Sequence, residues 1–167
     1  QYGGRNAGAK RNQANALQRR RQYQEVGRQK AREGRPLFLA GCMLFWAEGA
    51  KTRNRIYFVN SDPHMMLFFM RFLREELMVR DKDLTITIHC HYKEPEIVNR
   101  IERYWLDLLQ LSDNCLRKTQ YKIGSNTRKN ILENGVCGVA VYSGELTQQL
   151  FGAIQEYAGF DNPDWLF

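Results

Sequence analysis

The run Leu37–Ala47 (LFLAGCMLFWA) constrains this chain most: it carries no charge, Pro36 precedes it and Glu48-Gly49 follows. Proline in a first helical turn and glycine just past a last one are start and stop signals, so the run is predicted to be a helix. A helix that is apolar on every side must be buried by its own domain, by a partner, or by both. It is too short to cross a bilayer, which takes about 20 apolar residues, and no signal-peptide pattern precedes it. A chain of 167 residues has room for one domain with a hydrophobic core around such a helix.

The charge is distributed unevenly. Residues 1–35 carry +8, including Arg19, Arg20, Arg21, Arg28 and Lys30, and the remaining residues carry −1. This is the pattern of a phosphate-seeking basic arm (1–35) ahead of a nearly neutral globular domain (36–167). The arm has few large apolar side chains, so alone it cannot offset its ordering entropy. Its Ala, Gln, Arg and Lys content over 12–33 favours helix on a polyanion; the plain alternative is a solvated linker. Cys42, Cys90, Cys115 and Cys137 show no CxxC spacing and lie in apolar or strand-like stretches, which predicts reduced, buried thiols and a cytoplasmic protein, nucleoid-associated if the basic arm binds DNA.

Beyond the apolar helix, Arg55–Asn60 reads as a strand. Asn60-Ser61-Asp62-Pro63 opens a helix with Met66, Met70, Leu73 and Leu77 on its stripe, widened by Phe68, Phe69 and Phe72. Leu84–Tyr92 alternates, with Ile86, Ile88, Cys90 and Tyr92 on one face and Thr85, Thr87, His89 and His91 on the other. Glu96–Leu111 is predicted to be a helix burying Ile97, Ile101, Tyr104, Trp105 and Leu108. Cys115–Ile123 and Val136–Tyr142 read as strands around a polar loop, and Glu145–Ala158 as a closing helix burying Leu146, Leu150, Ile154 and Tyr157. The expected fold class is α/β in the wider α+β sense, a mixed or antiparallel sheet with packed helices, in the order α-β-α-β-α-β-β-α.

Glu48 draws notice because a carboxylate at a helix C-terminus faces the negative end of the helix dipole. A cation must compensate it: either a basic neighbour (Lys51, Arg53 and Arg55 follow at once) or a metal. Ala47-Glu48-Gly49 closing an apolar helix, then a strand, then Asn60-Ser61-Asp62-Pro63 opening the next helix, resembles the LAGLIDADG homing endonuclease superfamily. Leu39-Ala40-Gly41 echoes the start of that motif, and the 115–158 hairpin and helix resemble its closing elements. The resemblance implies that two such helices pack side by side in a homodimer through residues 37–48, and that Glu48 holds Mg²⁺ at a cleavage centre. Three departures stand against this: Gly41 lies seven residues before Glu48 rather than five, Met43 stands where close packing wants a small residue, and the helix over 96–111 reads as an insertion between sheet strands. Relatives of this fold that act as transcription regulators carry an added helix-turn-helix domain, and the opening Gln1 leaves room for upstream residues.

On such a sheet the residues that would face nucleic acid are Thr85, Thr87, His89 and His91 from one strand, Arg53, Arg55 and Tyr57 from another, and Lys118, Gln120 and Lys122 from a third. Lys51 stands beside them, and Arg128 and Lys129 would grip phosphate from the 124–134 loop. The plain reading of each strand is a solvated sheet face. His89-Cys90-His91 cannot chelate as a set, because alternation turns Cys90 away. Ser/His/Asp catalysis, a phosphate-cradling glycine loop and a dinucleotide fingerprint are absent from the sequence. Three functions remain: a non-cleaving, sequence-specific double-stranded DNA binder or regulator with no cofactor, a Mg²⁺-dependent homodimeric endonuclease, and an RNA-binding structural protein of a ribonucleoprotein.

Overall fold

The computed structural model describes residues 3–121 and 132–167. The fold is mixed α+β: α1 (Gly3–Arg32), α2 (Pro36–Glu48), β1 (Ile56–Asn60), α3 (Pro63–Glu75), β2 (Leu84–Cys90), α4 (Pro95–Leu109), β3 (Gln120–Tyr121), β4 (Val136–Val141) and α5 (Gly144–Ala158). Short 3-10 turns occupy Asp81–Asp83, Asp113–Cys115 and Pro163–Leu166. Among the described residues no helix is long and apolar enough to cross a membrane.

The chain forms two compact units. One contains the described residues up to Met43 with Thr52–Arg55 and Ser143–Phe167; the other contains Leu44–Lys51 and Ile56–Tyr142. In the first, α1 and α5 run side by side in the same sense, with Tyr23 beside Glu145 and Arg32 beside Glu156. The helices touch backbone to backbone. A Cβ on Gly27 would lie 1.8 Å from the Gln149 carbonyl oxygen, and one on Gly152 2.0 Å from that of Gln24. Between them lies a layer of buried amides. Gln24 Nε2 donates to Gln148 Oε1 at 2.8 Å, and Gln155 Nε2 donates to Gln24 Oε1 at 3.3 Å. At the rim Arg28 pairs with Asp161 at 2.7 Å, and Arg32 pairs with Glu156 at 2.8 Å. The Arg32 hydrogen bond, first among several causes, holds the Glu156 carboxyl below its usual range.

The basic segment is therefore not set apart as an arm ending at residue 35. It is one 30-residue helix, and all of it belongs to the first unit. The physical reason is the glycine contact and the amide layer, which let a helix with little apolar surface be buried. Arg28 and Lys30, expected to face nucleic acid, are half-buried and bond to Asp161 and Gln149.

In the second unit the sheet order is β1-β4-β2-β3, with β4 antiparallel to both β1 and β2. Asp62 caps α3, accepting from the His64 and Met65 amides at 2.8 and 3.2 Å. From there α3 buries Met66, Phe69, Met70, Phe72 and Leu73, stacking Phe69 on Phe58 of β1 at 4.2 Å. The stripe of α4 is rotated by about one residue from the sequence reading. It buries Val98, Ile101, Trp105, Leu106 and Leu109, leaving Ile97, Tyr104 and Leu108 half-buried. In α5 Leu150 and Ile154 are buried as expected, whereas Tyr157 is exposed.

The expected strand over 115–123 is described as far as Tyr121, and among the described residues it does not pair with β4 as a hairpin. Gln120–Tyr121 is a strand, and it pairs in parallel with β2. Leu116 bridges Ile86 in parallel, and the Thr119 hydroxyl donates to Glu102 of α4, so the segment is held at the sheet edge one residue at a time. All four cysteines are free and buried, and burial pushes the Cys137 thiol well above its ordinary pKa.

Candidate nucleic-acid interface

Register, rather than proximity in sequence, assembles the candidate face. On one side of the sheet Ile56, Val141 and Leu84 align, as do Phe58, Val139 and Ile86; these form the core. The other side aligns Tyr57, Ala140 and Thr85, then Val59, Gly138 and Thr87, then Val136, His89 and Gln120. Thr85, Thr87 and His89 are half-buried and Gln120 is exposed. A Cβ on Gly138 would lie 2.6 Å from the Tyr57 hydroxyl, so the tyrosine lies flat across β4. It reaches β2, where its Oη is 3.4 Å from His89 Nε2. The result is a shallow polar floor: two threonine hydroxyls, a tyrosine–histidine pair and an edge glutamine around small residues. Such groups donate to and accept from base edges and phosphate oxygens.

Of the remaining residues expected here, His91 lies just past β2, and Lys118 is exposed ahead of β3. Arg53 and Arg55 precede β1 rather than lying in it, and they belong to the first unit. Arg19 and Arg21 are exposed on α1, and Arg20 is half-buried there. Lys122, Arg128 and Lys129 lie outside the described residues.

Glu48 ends α2 and is exposed. Its position is fixed by Gly49, which has no room for a side chain: a Cβ there would lie 2.2 Å from the Phe45 ring. The chain then runs beside β1, with Gly49 bridging Phe58 and the Ala50 amide donating to the Tyr57 carbonyl at 2.8 Å. Lys51 Nζ donates to the Gly49 carbonyl at 2.7 Å and lies 5.9 Å from the Phe45 ring centroid. Desolvation lowers the Lys51 pKa, and the Glu48 charge opposes that shift. No described residue forms an ion pair with Glu48 within 4.0 Å, so the lysine answers the carboxylate through its field rather than by contact.

The resemblance would place a divalent metal at Glu48. Among the described residues no three His, Cys, Asp or Glu side chains come together as a metal-binding group. One exposed carboxylate with a lysine as its charged neighbour is a poor fit to Mg²⁺ within a single chain, and no cleavage step is derived from it.

No family model matches this chain, and no curated protein or solved structure matches it.

The sequence reading missed Gly138 and Ala140, whose smallness makes the floor, and the contact between Tyr57 and His89. Alternation gives the facing of each strand, but only the pairing of β4 between β1 and β2 shows which residues share a row.

Proposed function

We propose that this protein is a sequence-specific double-stranded DNA binder of homing-endonuclease-like fold that does not cleave its target. The observation that carries this reading is the row of polar side chains on the sheet face turned away from Ile56, Phe58, Leu84 and Ile86. Tyr57, Thr85, Thr87, His89 and Gln120 come from three strands and are set around Gly138 and Ala140. A concerted polar face on small residues suits groove contact better than it suits a packed core, and the net positive charge of the chain adds the phosphate attraction on which such binding depends.

Selection of bound duplexes from a randomised pool at moderate salt tests it. The expected result is enrichment of a defined site. Gln120→Ala should then relax preference at one position by about 1–3 kcal/mol, the worth of a bidentate contact to adenine, with an unchanged salt slope. Tight, salt-sensitive binding with no enriched site, or displacement of duplex by structured RNA at equal salt, would overturn the reading.

The homodimer belongs to the same proposal. α2 buries Phe38, Cys42 and Phe45 but leaves Ala40, Trp46 and Ala47 exposed, with Met43 half-buried between the alanines. A second copy of α2 is the occupant that would cover this apolar stripe symmetrically. In sedimentation equilibrium the native chain should be a dimer and Ala47→Trp a monomer; a variant that stays dimeric would remove α2 from the interface.

A further inference from the structure

Where α1 passes the start of α5, the first unit has a pocket of about 140 Å³ lined by Arg19, Arg20 and Tyr23 of α1, Asn54, and Gly144 and Glu145 of α5. At about 30 Å³ per water, this is room for a handful of waters or one tetrahedral oxyanion. Its walls are rich in donors. The Arg19 guanidinium, the Tyr23 hydroxyl and the Asn54 amide make no hydrogen bond or ion pair with any described residue. The Arg53 guanidinium, next to Asn54 in the chain, makes none either.

The contrast with the rest of α1 is informative. Toward its end, Arg28 and Arg32 are each given an acid, from Asp161, Glu156 or Glu25. At the pocket the arginines crowd one another instead. Arg20 is tied to the Leu166 carbonyl at 2.8 Å, and its charged form is disfavoured by burial, then by Arg53 and Arg19. The one carboxylate at the rim is Glu145, which accepts from Gln149 Nε2 at 3.2 Å. Two guanidinium groups, Arg19 and Arg20, line the concavity with one carboxylate at its rim, and Arg53 acts on Arg20 from outside the lining, so like charges repel there unless an anion joins them. Guanidinium donors in a fork, an amide and a hydroxyl are the chemistry that recognises phosphate.

We propose that Arg19 and Arg20, with the Asn54 amide and the Tyr23 hydroxyl, form a receptor for a single phosphate group, filled by a backbone phosphate of the bound nucleic acid. The source of the phosphate rests on the function proposed above; the receptor itself does not.

The test uses the full chain, Arg19→Gln, Arg19→Lys and, as a control, Arg100→Gln on the exposed side of α4. Arg19 is an exposed helix residue whose guanidinium bonds to no described residue, so its variants should fold. In one arm thermal melting is followed in inorganic phosphate and in chloride at equal ionic strength. Phosphate should raise the midpoint of the native chain, of Arg19→Lys and of Arg100→Gln, and should not raise that of Arg19→Gln. In the other arm duplex affinity is followed against salt, and Arg19→Gln should lower the log–log slope by about 0.9, the loss of one phosphate contact. An equal phosphate effect in native chain and Arg19→Gln would overturn the receptor, as would no phosphate effect in either. An unchanged slope with duplex still bound would overturn the backbone phosphate as its ligand. Failure of the native chain to bind duplex, with the phosphate effect present and lost in Arg19→Gln, would overturn the DNA-binding function and leave a receptor for free phosphate.

Discussion

Gly152→Val should separate α1 from α5 and cost more than about 3 kcal/mol in urea denaturation. Filling a packed interior usually costs about 1–3 kcal/mol, because side chains can shift. Here the obstacle is the Gln24 carbonyl, 2.0 Å from where the first added carbon must go, so a whole helix has to move. Gly152→Ala gives the more discriminating result, since alanine inside a helix gains about 0.5–1 kcal/mol over glycine when nothing opposes it. In the native pairing Gly152→Ala should still be destabilising. Gly8→Ala in the same helix system, where nothing lies within 4 Å, should be neutral or stabilising. A Gly152→Ala protein as stable as Gly8→Ala would mean that the two backbones are not in contact.

Trp105→Ala is the corresponding test of the second unit. Trp105 is fully buried, stands edge-on to Tyr104 at 5.2 Å, and donates from Nε1 to the Asn134 carbonyl at 2.7 Å. Removing a buried tryptophan costs about 3–5 kcal/mol, and the orphaned carbonyl adds about 1–3 kcal/mol if it stays buried. Together these are comparable to the whole stability of a typical domain, about 5–15 kcal/mol. The variant should therefore be largely unfolded, or show a denaturation midpoint shifted far below that of the native protein. Trp105→Phe keeps most of the volume and should lose only the smaller, hydrogen-bonding part. A cost below about 1 kcal/mol for Trp105→Ala would show that α4 does not close the core.

The features that could be read from sequence were those set by near neighbours. Pro36 and Gly49 bracket α2, Asp62 caps α3, and the alternation of Leu84–Cys90 sorts core from open face, because each of these signals acts over a few residues. What escaped depends on partners far along the chain. Gly27 and Gly152 explain each other only once α1 and α5 are together. Gln24, Gln148 and Gln155 look like solvent-facing residues, yet they are buried, because each satisfies another. The same held for the charges: ten basic residues near the N-terminus suggested a free arm, but Glu156 and Asp161 neutralise part of them from the other end of the chain. For the candidate site, alternation gave Thr85, Thr87 and His89 their facing. The parallel pairing of β3 with β2, which brings Gln120 level with His89, left no local trace.

The buried amides also have a direction. The Asn162 amide gives to Gln155 Oε1, Gln155 gives to Gln24, Gln24 gives to Gln148, and Gln148 gives to the Trp165 carbonyl. The relay leaves the main chain at 162 and returns to it at 165, passing through α5, α1 and α5 again. No single side-chain amide can be turned over without setting oxygen against oxygen at one junction and N–H against N–H at the next, so their orientations are chosen together. The last turn of the chain thus acts as both terminals of one circuit, and its few residues set the polarity of a contact made by two helices more than a hundred positions apart.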